Sequence, residues 1–201
     1  MITEDEARKA ELIKFEDEIA ELFNSGQIRA PVHLSDGNEE FLIDIFKKVR
    51  KDDWVFSTHR SHYHALLHGI DPDWLRQEII SGRSLTVCSP PHRFYSSGIV
   101  GGNTPIALGV AMGLKRKNSQ EHVWVFVGDM AAEGGVFHEV VKYAERNDLP
   151  ITFVVEDNGI STYTPTKETW GGGRSPSKVM KYVYKKDKYP HYGAGKWVTF
   201  G

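Results

Sequence analysis

The sequence contains little cysteine and no long apolar run. The single cysteine, Cys88, excludes an internal disulfide and suits a reducing compartment. No apolar stretch reaches the roughly 18 residues that a transmembrane helix needs. The acidic N-terminus, MITEDEARKAEL, lacks the apolar segment of a signal peptide. We therefore expect a cytoplasmic protein.

A strong charge of either sign is also missing. The net charge is -2 over 201 residues, which gives no electrostatic reason to expect binding to nucleic acid or to an anionic membrane. Apolar residues make up 40% of the chain and charged residues 26%, as in ordinary soluble globular proteins. This length allows one domain with a substantial core.

The first half of the chain has the pattern of several helices. Apolar residues recur at three- and four-residue steps in residues 3–24 and 39–49, which predicts two amphipathic helices. Pro72 favours the first turn of a third helix. Residues 88–105 are rich in proline, glycine and serine and are predicted to form a loop, after which a helix of small residues begins.

The second half contains a recognisable strand, helix and strand. An apolar strand is predicted over residues 123–127, a helix over 132–146 and a second buried strand over 151–156. This βαβ unit implies a parallel sheet with a right-handed crossover. After Thr162 the chain becomes glycine-rich and then aromatic and basic, and no further βαβ repeat is predicted there.

Oxygen-bearing side chains follow both predicted strands. Asp129 ends the first strand, and Asn158 follows the second. Open parallel sheets bind ligands at the carboxyl ends of their strands, so neighbouring strands would bring these side chains together. A divalent cation with a bound phosphate suits such oxygens, and the small residues after Asp129 would let backbone N–H groups approach the phosphate. The alternative is that Asp129 caps a helix and Asn158 makes a turn.

Four ordered segments resemble one enzyme family. The stretch VGDMAAEGGVFHEVVKYAERNDLPITFVVEDNGIST is similar to the thiamine diphosphate motif, which begins with Gly-Asp-Gly and ends near an Asn. Upstream, IRAPVHLSDGNE, THRSHYHALLHGID and SSGIVGGNTPIALGVAMGL resemble segments of the alpha subunit of thiamine-dependent first components of 2-oxo-acid dehydrogenase complexes. The resemblance covers about residues 12–165, whereas residues 166–201 diverge.

The resemblance implies a fold, two cofactors and a metal site. The fold would be a three-layer α/β diphosphate-binding domain with a parallel sheet, formed by residues 1–201 as a single domain. The cofactors would be thiamine diphosphate and Mg²⁺. The side chains of Asp129 and Asn158 and the backbone carbonyl of Ile160 would bind the metal.

The same resemblance assigns cofactor contacts. Gly128, Met130 and Ala131 would approach the diphosphate through their backbone, although Met130 stands where the family usually has glycine, and a positive φ would be costly there. The other implied residues are Arg60 and His59 near the phosphates, Gly98 and Val100 at the aminopyrimidine, and His62 at the reaction centre as the catalytic candidate.

A partner chain follows from what the resemblance does not cover. In this superfamily a pyrimidine-binding domain supplies the glutamate that activates the cofactor, and this sequence has room for the diphosphate-binding domain only. We therefore expect a beta-type subunit, a heterodimer or heterotetramer, and a 2-oxo acid substrate that undergoes decarboxylation or acyl or aldehyde transfer. The alternatives are a non-catalytic or regulatory relative and a simple phosphate- or nucleotide-binding module.

Two further hypotheses concern histidines, one about a zinc site and one about a loop over the active site. The group His59, His62, His64 and His68 has spacings that could hold zinc, but no cysteine pair accompanies it, and packing or cofactor-loop roles compete with a metal site. His191 could replace a histidine that longer alpha subunits carry on a loop over the active site.

Overall fold

The computed structural model describes residues 2–162, 164–171 and 179–189. Six strands form one sheet in the order β2-β3-β1-β4-β5-β8, and every neighbouring pair is parallel except β2 and β3. The strands of this sheet are β1 (Trp54–Ser57), β2 (Cys88–Ser89), β3 (Phe94–Ser96), β4 (Val123–Gly128), β5 (Ile151–Asp157) and β8 (Met180–Val183). A separate antiparallel pair consists of β6 (Ile160–Ser161) and β7 (Thr164–Pro165).

Eight α-helices connect or flank these strands in the described ranges. They are α1 (Glu4–Asn24), α2 (Glu39–Phe46), α3 (His62–Leu67), α4 (Pro72–Ile80), α5 (Asn103–Arg116), α6 (Asp129–Ala132), α7 (Gly135–Arg146) and α8 (Thr166–Trp170). Short 3₁₀ turns lie at Ser84–Thr86 and Pro90–His92. None of the helices seen in these ranges has the length and apolarity that crossing a membrane requires.

Local sequence signals set the ends of the helices. Thr3 and Glu6 form a capping box at the start of α1, because each side chain accepts a hydrogen bond from the other residue's backbone N–H. Asp71 accepts from the backbone N–H of Trp74 at 2.9 Å, and Pro72 occupies the first turn of α4. The predicted first and third helices are thus confirmed, and the second ends at Phe46, three residues earlier than expected.

The apolar run of β4 is explained by burial on both faces of the sheet. Trp124 and Phe126 pack into a core formed with α1 to α4. Val123, Val125 and Val127 point to the other face and pack against α5 and α7. A strand covered on both faces needs no polar alternation, which is typical of parallel sheets. The predicted three-layer α/β architecture is therefore confirmed.

The direction of winding changes at β1. The chain passes from β1 through α3 and α4 to β3, on one side of β1, and then through α5, on the opposite face, to β4 on the other side of β1. Where strand order reverses in this way, the loops at the carboxyl ends diverge and leave a crevice. The sheet therefore has a crevice between the ends of β1 and β4.

Two sequence interpretations are wrong. The segment 88–105 is not a continuous loop, since it contributes β2 and β3. The C-terminal segment also adds to the parallel sheet, because β8 pairs with β5 from Val154↔Met180 to Asp157↔Val183. In β8 the side chain of Tyr182 is buried, whereas those of its neighbours Lys181 and Val183 are in solvent, as expected for a strand at the edge of the described sheet.

Candidate active site

A pocket occupies the crevice at the carboxyl ends of β1, β4 and β5. Most of the predicted site residues line it, whereas Gly98 and His62, which also lie in the described part of the chain, do not. The predicted residues that the structure brings together are His59, Arg60, Val100, Gly128, Asp129, Met130, Ala131, Asn158 and Ile160.

Asp129 is a buried carboxylate at the end of β4. It begins α6 and is 5% exposed, and the Thr166 hydroxyl at the start of α8 donates a hydrogen bond to its Oδ2. Burial raises the pKa of Asp129, and the nearby charge of Asp157 adds to the rise, although the bond from Thr166 opposes it. A carboxylate whose charge is disfavoured in this way would be stabilised by a bound cation.

Asn158 and Ile160 supply neutral oxygens on the facing strand. The register of β4 and β5 ends at Gly128↔Glu156, so the residues that follow meet at one edge. The backbone N–H of Ile160 donates to Asn158 Oδ1 at 3.2 Å, which makes the turn foreseen in the alternative interpretation. Gly159 has φ +75°, and this left-handed conformation lets the residues on either side of it line the pocket.

This donor set fits a magnesium ion. An amide oxygen has two lone pairs, so Asn158 Oδ1 can accept from Ile160 and still bind a metal. One carboxylate and neutral oxygens, completed by phosphate oxygens, is a usual set of Mg²⁺ ligands. Asp157 is otherwise engaged, because its Oδ2 lies 2.6 Å from Lys181 Nζ. Among the residues that the structure describes, no group of three or more His, Cys, Asp or Glu forms a separate metal cluster.

The chain after Asp129 offers backbone rather than side chains to the pocket. Met130 and Ala131 lie in the right-handed turn α6, and Met130 is not among the residues with positive φ. The backbone strain that a positive φ would cause at Met130 is therefore absent. A Cβ atom added at Gly128 would meet no protein atom within 4 Å, whereas one at Gly134 would lie 3.2 Å from the carbonyl of Ala131. Of these two glycines, Gly134 is the one whose position is confined by protein atoms.

Arg60 provides the positive charge of the pocket wall. It is partly buried at the end of the β1 loop, and burial lowers the pKa of its guanidinium while Tyr184, Glu156 and Asp129 counteract that effect. His59 lies beside it with its ring centroid 4.5 Å from that of His33. A guanidinium in this position suits a phosphate, whose oxygens match its fork of donors.

The loop after β3 forms the mouth of the pocket. Asn103 Nδ2 donates to the carbonyl of Ser57 at 2.6 Å, which ties the start of α5 to the end of β1. Ile99 and Val100 are 75% and 72% exposed. Gly98 lies in the same loop, and the residues on either side of it line the pocket. These two aliphatic side chains form an exposed apolar surface beside the pocket.

His62 lies in the core beside the pocket rather than on its wall. It is fully buried; its Nδ1 is 2.9 Å from Glu16 Oε2 and its Nε2 is 2.9 Å from Ser84 Oγ. Glu16 also accepts from the backbone N–H of Ser35 at 2.9 Å. These contacts fix the imidazole between α1 and the turn that begins at Ser84. A catalytic role for His62 stays a prediction.

The remaining histidines have separate surroundings. His64 Nε2 lies 3.2 Å from Glu156 Oε1, and His68 Nε2 lies 3.2 Å from the carbonyl of Asp53. With His62 held by Glu16, these side chains do not converge on one point. His191 lies outside the described residues.

Sequence reasoning missed several residues of the pocket wall. Glu156 is buried near the end of β5, and its Oε1 accepts from the Tyr182 hydroxyl and from Asn38 Nδ2 at 3.4 Å. Its position in the motif VVEDN, beside the predicted metal ligand, was a usable signal. Asn38 and Tyr184 carried no such signal, because they come from distant segments that only the fold brings to the pocket.

Comparisons with known proteins identify the family. The profile of the dehydrogenase E1 component family matches residues 7–179. The chain belongs to the dehydrogenase E1 component family. This E1 chain is 33% identical, over 166 residues, to the alpha subunit of acetoin:2,6-dichlorophenolindophenol oxidoreductase from Bacillus subtilis (strain 168). It is 28% identical, over 185 residues, to the alpha subunit of the pyruvate dehydrogenase E1 component from Rickettsia bellii (strain RML369-C).

The E1 chain matches only part of these relatives. The two alignments cover 77% and 87% of this chain but 50% and 54% of the relatives, so the chain spans about half their length. Among solved structures, a putative thiamin diphosphate-dependent enzyme from Mycobacterium smegmatis matches 65% of this chain and 22% of its own, with a TM-score of 0.45 and 20% identity.

Proposed function

We propose that this chain is the alpha-type subunit of a thiamine diphosphate- and magnesium-dependent enzyme. Its substrate would be a 2-oxo acid, and the reaction a decarboxylation or an acyl or aldehyde transfer. The observation that carries the proposal is that Asp129, Asn158, Ile160 and Arg60 line one pocket in a chain of the E1 family. When bound, thiamine diphosphate supplies the nucleophilic carbon for such chemistry.

The residues of this chain divide the work of holding the cofactor. Asp129, Asn158 and the Ile160 carbonyl would bind Mg²⁺, and Arg60, which lines the same pocket, would neutralise diphosphate oxygens. Met130 and Ala131 would present backbone groups to the diphosphate. Gly128 leaves open space beside them because it lacks a side chain. The metal and Arg60 would together anchor the diphosphate of the cofactor.

A beta-type subunit would complete the site, in a heterodimer or heterotetramer. The exposed Ile99 and Val100 at the pocket mouth support this part of the proposal, since a partner would remove their side chains from water. The two named relatives are alpha subunits, which also supports it. Val100 would then lie between the cofactor and the partner.

Binding calorimetry tests the proposal directly. Thiamine diphosphate would be titrated into the chain together with a cognate beta-type chain, sought among neighbouring genes, with Mg²⁺ and with EDTA. We expect saturable binding that requires Mg²⁺, and weaker or no binding of ADP under the same conditions. Absence of Mg²⁺-dependent binding in the reconstituted pair would contradict the proposal, and preferential binding of ADP would support a nucleotide-binding module instead.

A further inference from the structure

The hydroxyl of Tyr184 differs from those of the other tyrosines in the core formed with α1 to α4. Three of these hydroxyls donate to carboxylates: Tyr63 to Glu39, Tyr182 to Glu156 and Tyr189 to Asp17. The Tyr184 hydroxyl makes no hydrogen bond within the described ranges, although its side chain lines the pocket. A phenol in a pocket with no protein partner is available to a ligand.

The strand β8 fixes where Tyr184 lies. Its backbone N–H donates to the carbonyl of Asp157 at 2.9 Å, which continues the pairing of β8 with β5 by one residue. Side chains two residues apart share a face of a strand, and the rings of Tyr182 and Tyr184 accordingly lie 5.7 Å apart. Because Tyr182 is anchored to Glu156, the neighbouring Tyr184 ring is held at the pocket wall.

The electrostatic surroundings keep this hydroxyl protonated. Burial raises the pKa of Tyr184, and Glu156 adds to the rise, while Arg60 acts in the opposite direction. The phenol is therefore a hydrogen-bond donor at neutral pH. It lines the same pocket as the guanidinium of Arg60, which can donate hydrogen bonds but cannot accept them.

The most suitable ligand group has many acceptor oxygens and also reaches the metal ligands. Glu156 does not accept this hydroxyl in the described structure, where its Oε1 accepts from Tyr182 and Asn38. A diphosphate offers oxygens to Arg60 and to a metal at Asp129 at the same time. Building on the function proposed above, we propose that Tyr184 is a cofactor-binding residue whose hydroxyl donates to a diphosphate oxygen beside Arg60.

The substitution Tyr184→Phe tests this assignment, since it removes only the hydroxyl. Two titrations would be run by calorimetry with Mg²⁺: inorganic pyrophosphate into the full chain, and thiamine diphosphate into the chain with its beta-type partner. We expect affinity for both probes to fall about tenfold, the usual size for a hydrogen bond to a charged group. The thermal midpoint of the unliganded variant should match that of the wild type, because no protein hydrogen bond is lost.

Tyr189→Phe is the matched control. Tyr189 lies on the same C-terminal segment, but its hydroxyl donates to Asp17 of α1, away from the pocket. The affinity of the Tyr189→Phe variant for both probes should equal that of the wild type. An equal loss in Tyr189→Phe would show that the effect comes from the segment as a whole and would overturn the assignment, as would a lowered thermal midpoint in unliganded Tyr184→Phe.

The wild-type titrations separate the two proposals. If the wild type binds both probes and Tyr184→Phe binds them with affinities within about twofold of the wild type, the role of Tyr184 would be overturned. The proposed function would then stay intact. No Mg²⁺-dependent binding of either probe by the wild type would overturn both. Weakened binding of both probes in Tyr184→Phe alone is the result that supports the hydroxyl contact.

Discussion

Two buried aspartates lie at opposite ends of the same pair of strands. Asp53 directly precedes β1 at the amino end, and Asp129 directly follows β4 at the carboxyl end. They are 1% and 5% exposed, so burial alone does not distinguish them. The difference between them lies in the hydrogen-bond donors that the protein supplies.

Asp53 is surrounded by donors. Its carboxylate accepts from Arg50 Nη2 at 2.7 Å, from the backbone N–H of His122 at 2.9 Å and from Trp124 Nε1 at 3.3 Å. Burial acts to raise the pKa of Asp53, but the bonds from Arg50, His122 and Trp124 outweigh it, and the pKa lies below its usual value. The ionised form is stabilised by the fold itself.

Asp129 receives much less from the side chains around it. Thr166 is the side-chain donor that reaches it in the described structure, and burial leaves the pKa of Asp129 above its usual value. A folded protein that keeps such a group has a charge for which a ligand must compensate. Asp53, at the amino end of the sheet, stabilises the fold, and we infer that Asp129, at the carboxyl end, binds a metal.

The largest expected effect is on binding at Asp129. Asp129→Ala should weaken Mg²⁺-dependent binding of thiamine diphosphate at least about 100-fold, because loss of a mere supporting contact to a metal ligand already costs about 10- to 100-fold. Calorimetry on the reconstituted pair measures this. Glu139→Ala, on the exposed side of the adjacent α7, is the control and should keep wild-type affinity. Unchanged affinity in Asp129→Ala would make this carboxylate a helix cap.

The opposite pattern is expected at Asp53. Asp53→Ala should lower the free energy of unfolding by about 2–4 kcal/mol, since it leaves the buried donors of His122 and Trp124 without an acceptor. The ion pair with Arg50 adds little, because the Arg50 side chain is 57% exposed. Urea unfolding measures the loss. If Asp53→Ala instead showed a large drop in cofactor affinity and an unchanged free energy of unfolding, the contrast between the two aspartates would be contradicted.

The two carboxylates should also respond oppositely to acid. The folded pKa of Asp53 is depressed, so its contribution to stability is present above its unfolded pKa of about 3.9 and is lost as the pH falls through the lower folded value. The folded pKa of Asp129 is raised, so its ionisation destabilises the metal-free fold at neutral pH, and this cost decreases as the pH falls below the raised value and is gone below the unfolded pKa.

Urea unfolding of metal-free Asp129→Asn at several pH values tests whether ionisation of Asp129 lowers the free energy of unfolding. The variant should be more stable than the wild type at pH 7, and the difference should vanish below about pH 4, where both forms are neutral. In Asp53→Asn the wild type should instead be the more stable protein at pH 7. Equal stability of wild type and Asp129→Asn across this range would contradict the raised pKa.

The sequence predicted the centre of the site better than its walls. The apolar runs of β4 and β5 identified both strands in the sequence, and Asp129 and Asn158 come just after their ends. The strands β1 and β8 have only four residues each, and β8 includes Lys181, so neither has the long apolar run of a central strand. Tyr184 and Asn38 were missed because their position depends on long-range pairing.

The contacts of His62 show the same limit from another side. Its place in the motif THRSHYH suggested a position at the reaction centre, but the structure gives it Glu16 and Ser84 as partners in the core. Glu16 belongs to α1 and Ser84 follows α4, so both contacts arise from the packing of the helical layer. The motif alone did not indicate these contacts, and the catalytic role of His62 stays a prediction.

The smallest expected effect concerns Met130, the residue that replaces the usual glycine. Because Met130 lies in a right-handed turn without positive φ, Met130→Ala should bind thiamine diphosphate within about twofold of the wild type, and Met130→Gly should bind no more tightly. Met130→Gly should be less stable than Met130→Ala by about 1 kcal/mol, the usual cost of glycine in a helix. Calorimetry and urea unfolding of the two variants measure these differences. A tenfold gain in affinity on Met130→Gly would mean that the methionine side chain obstructs the diphosphate, and the carboxyl end of the sheet would then be only partly adapted to its ligand.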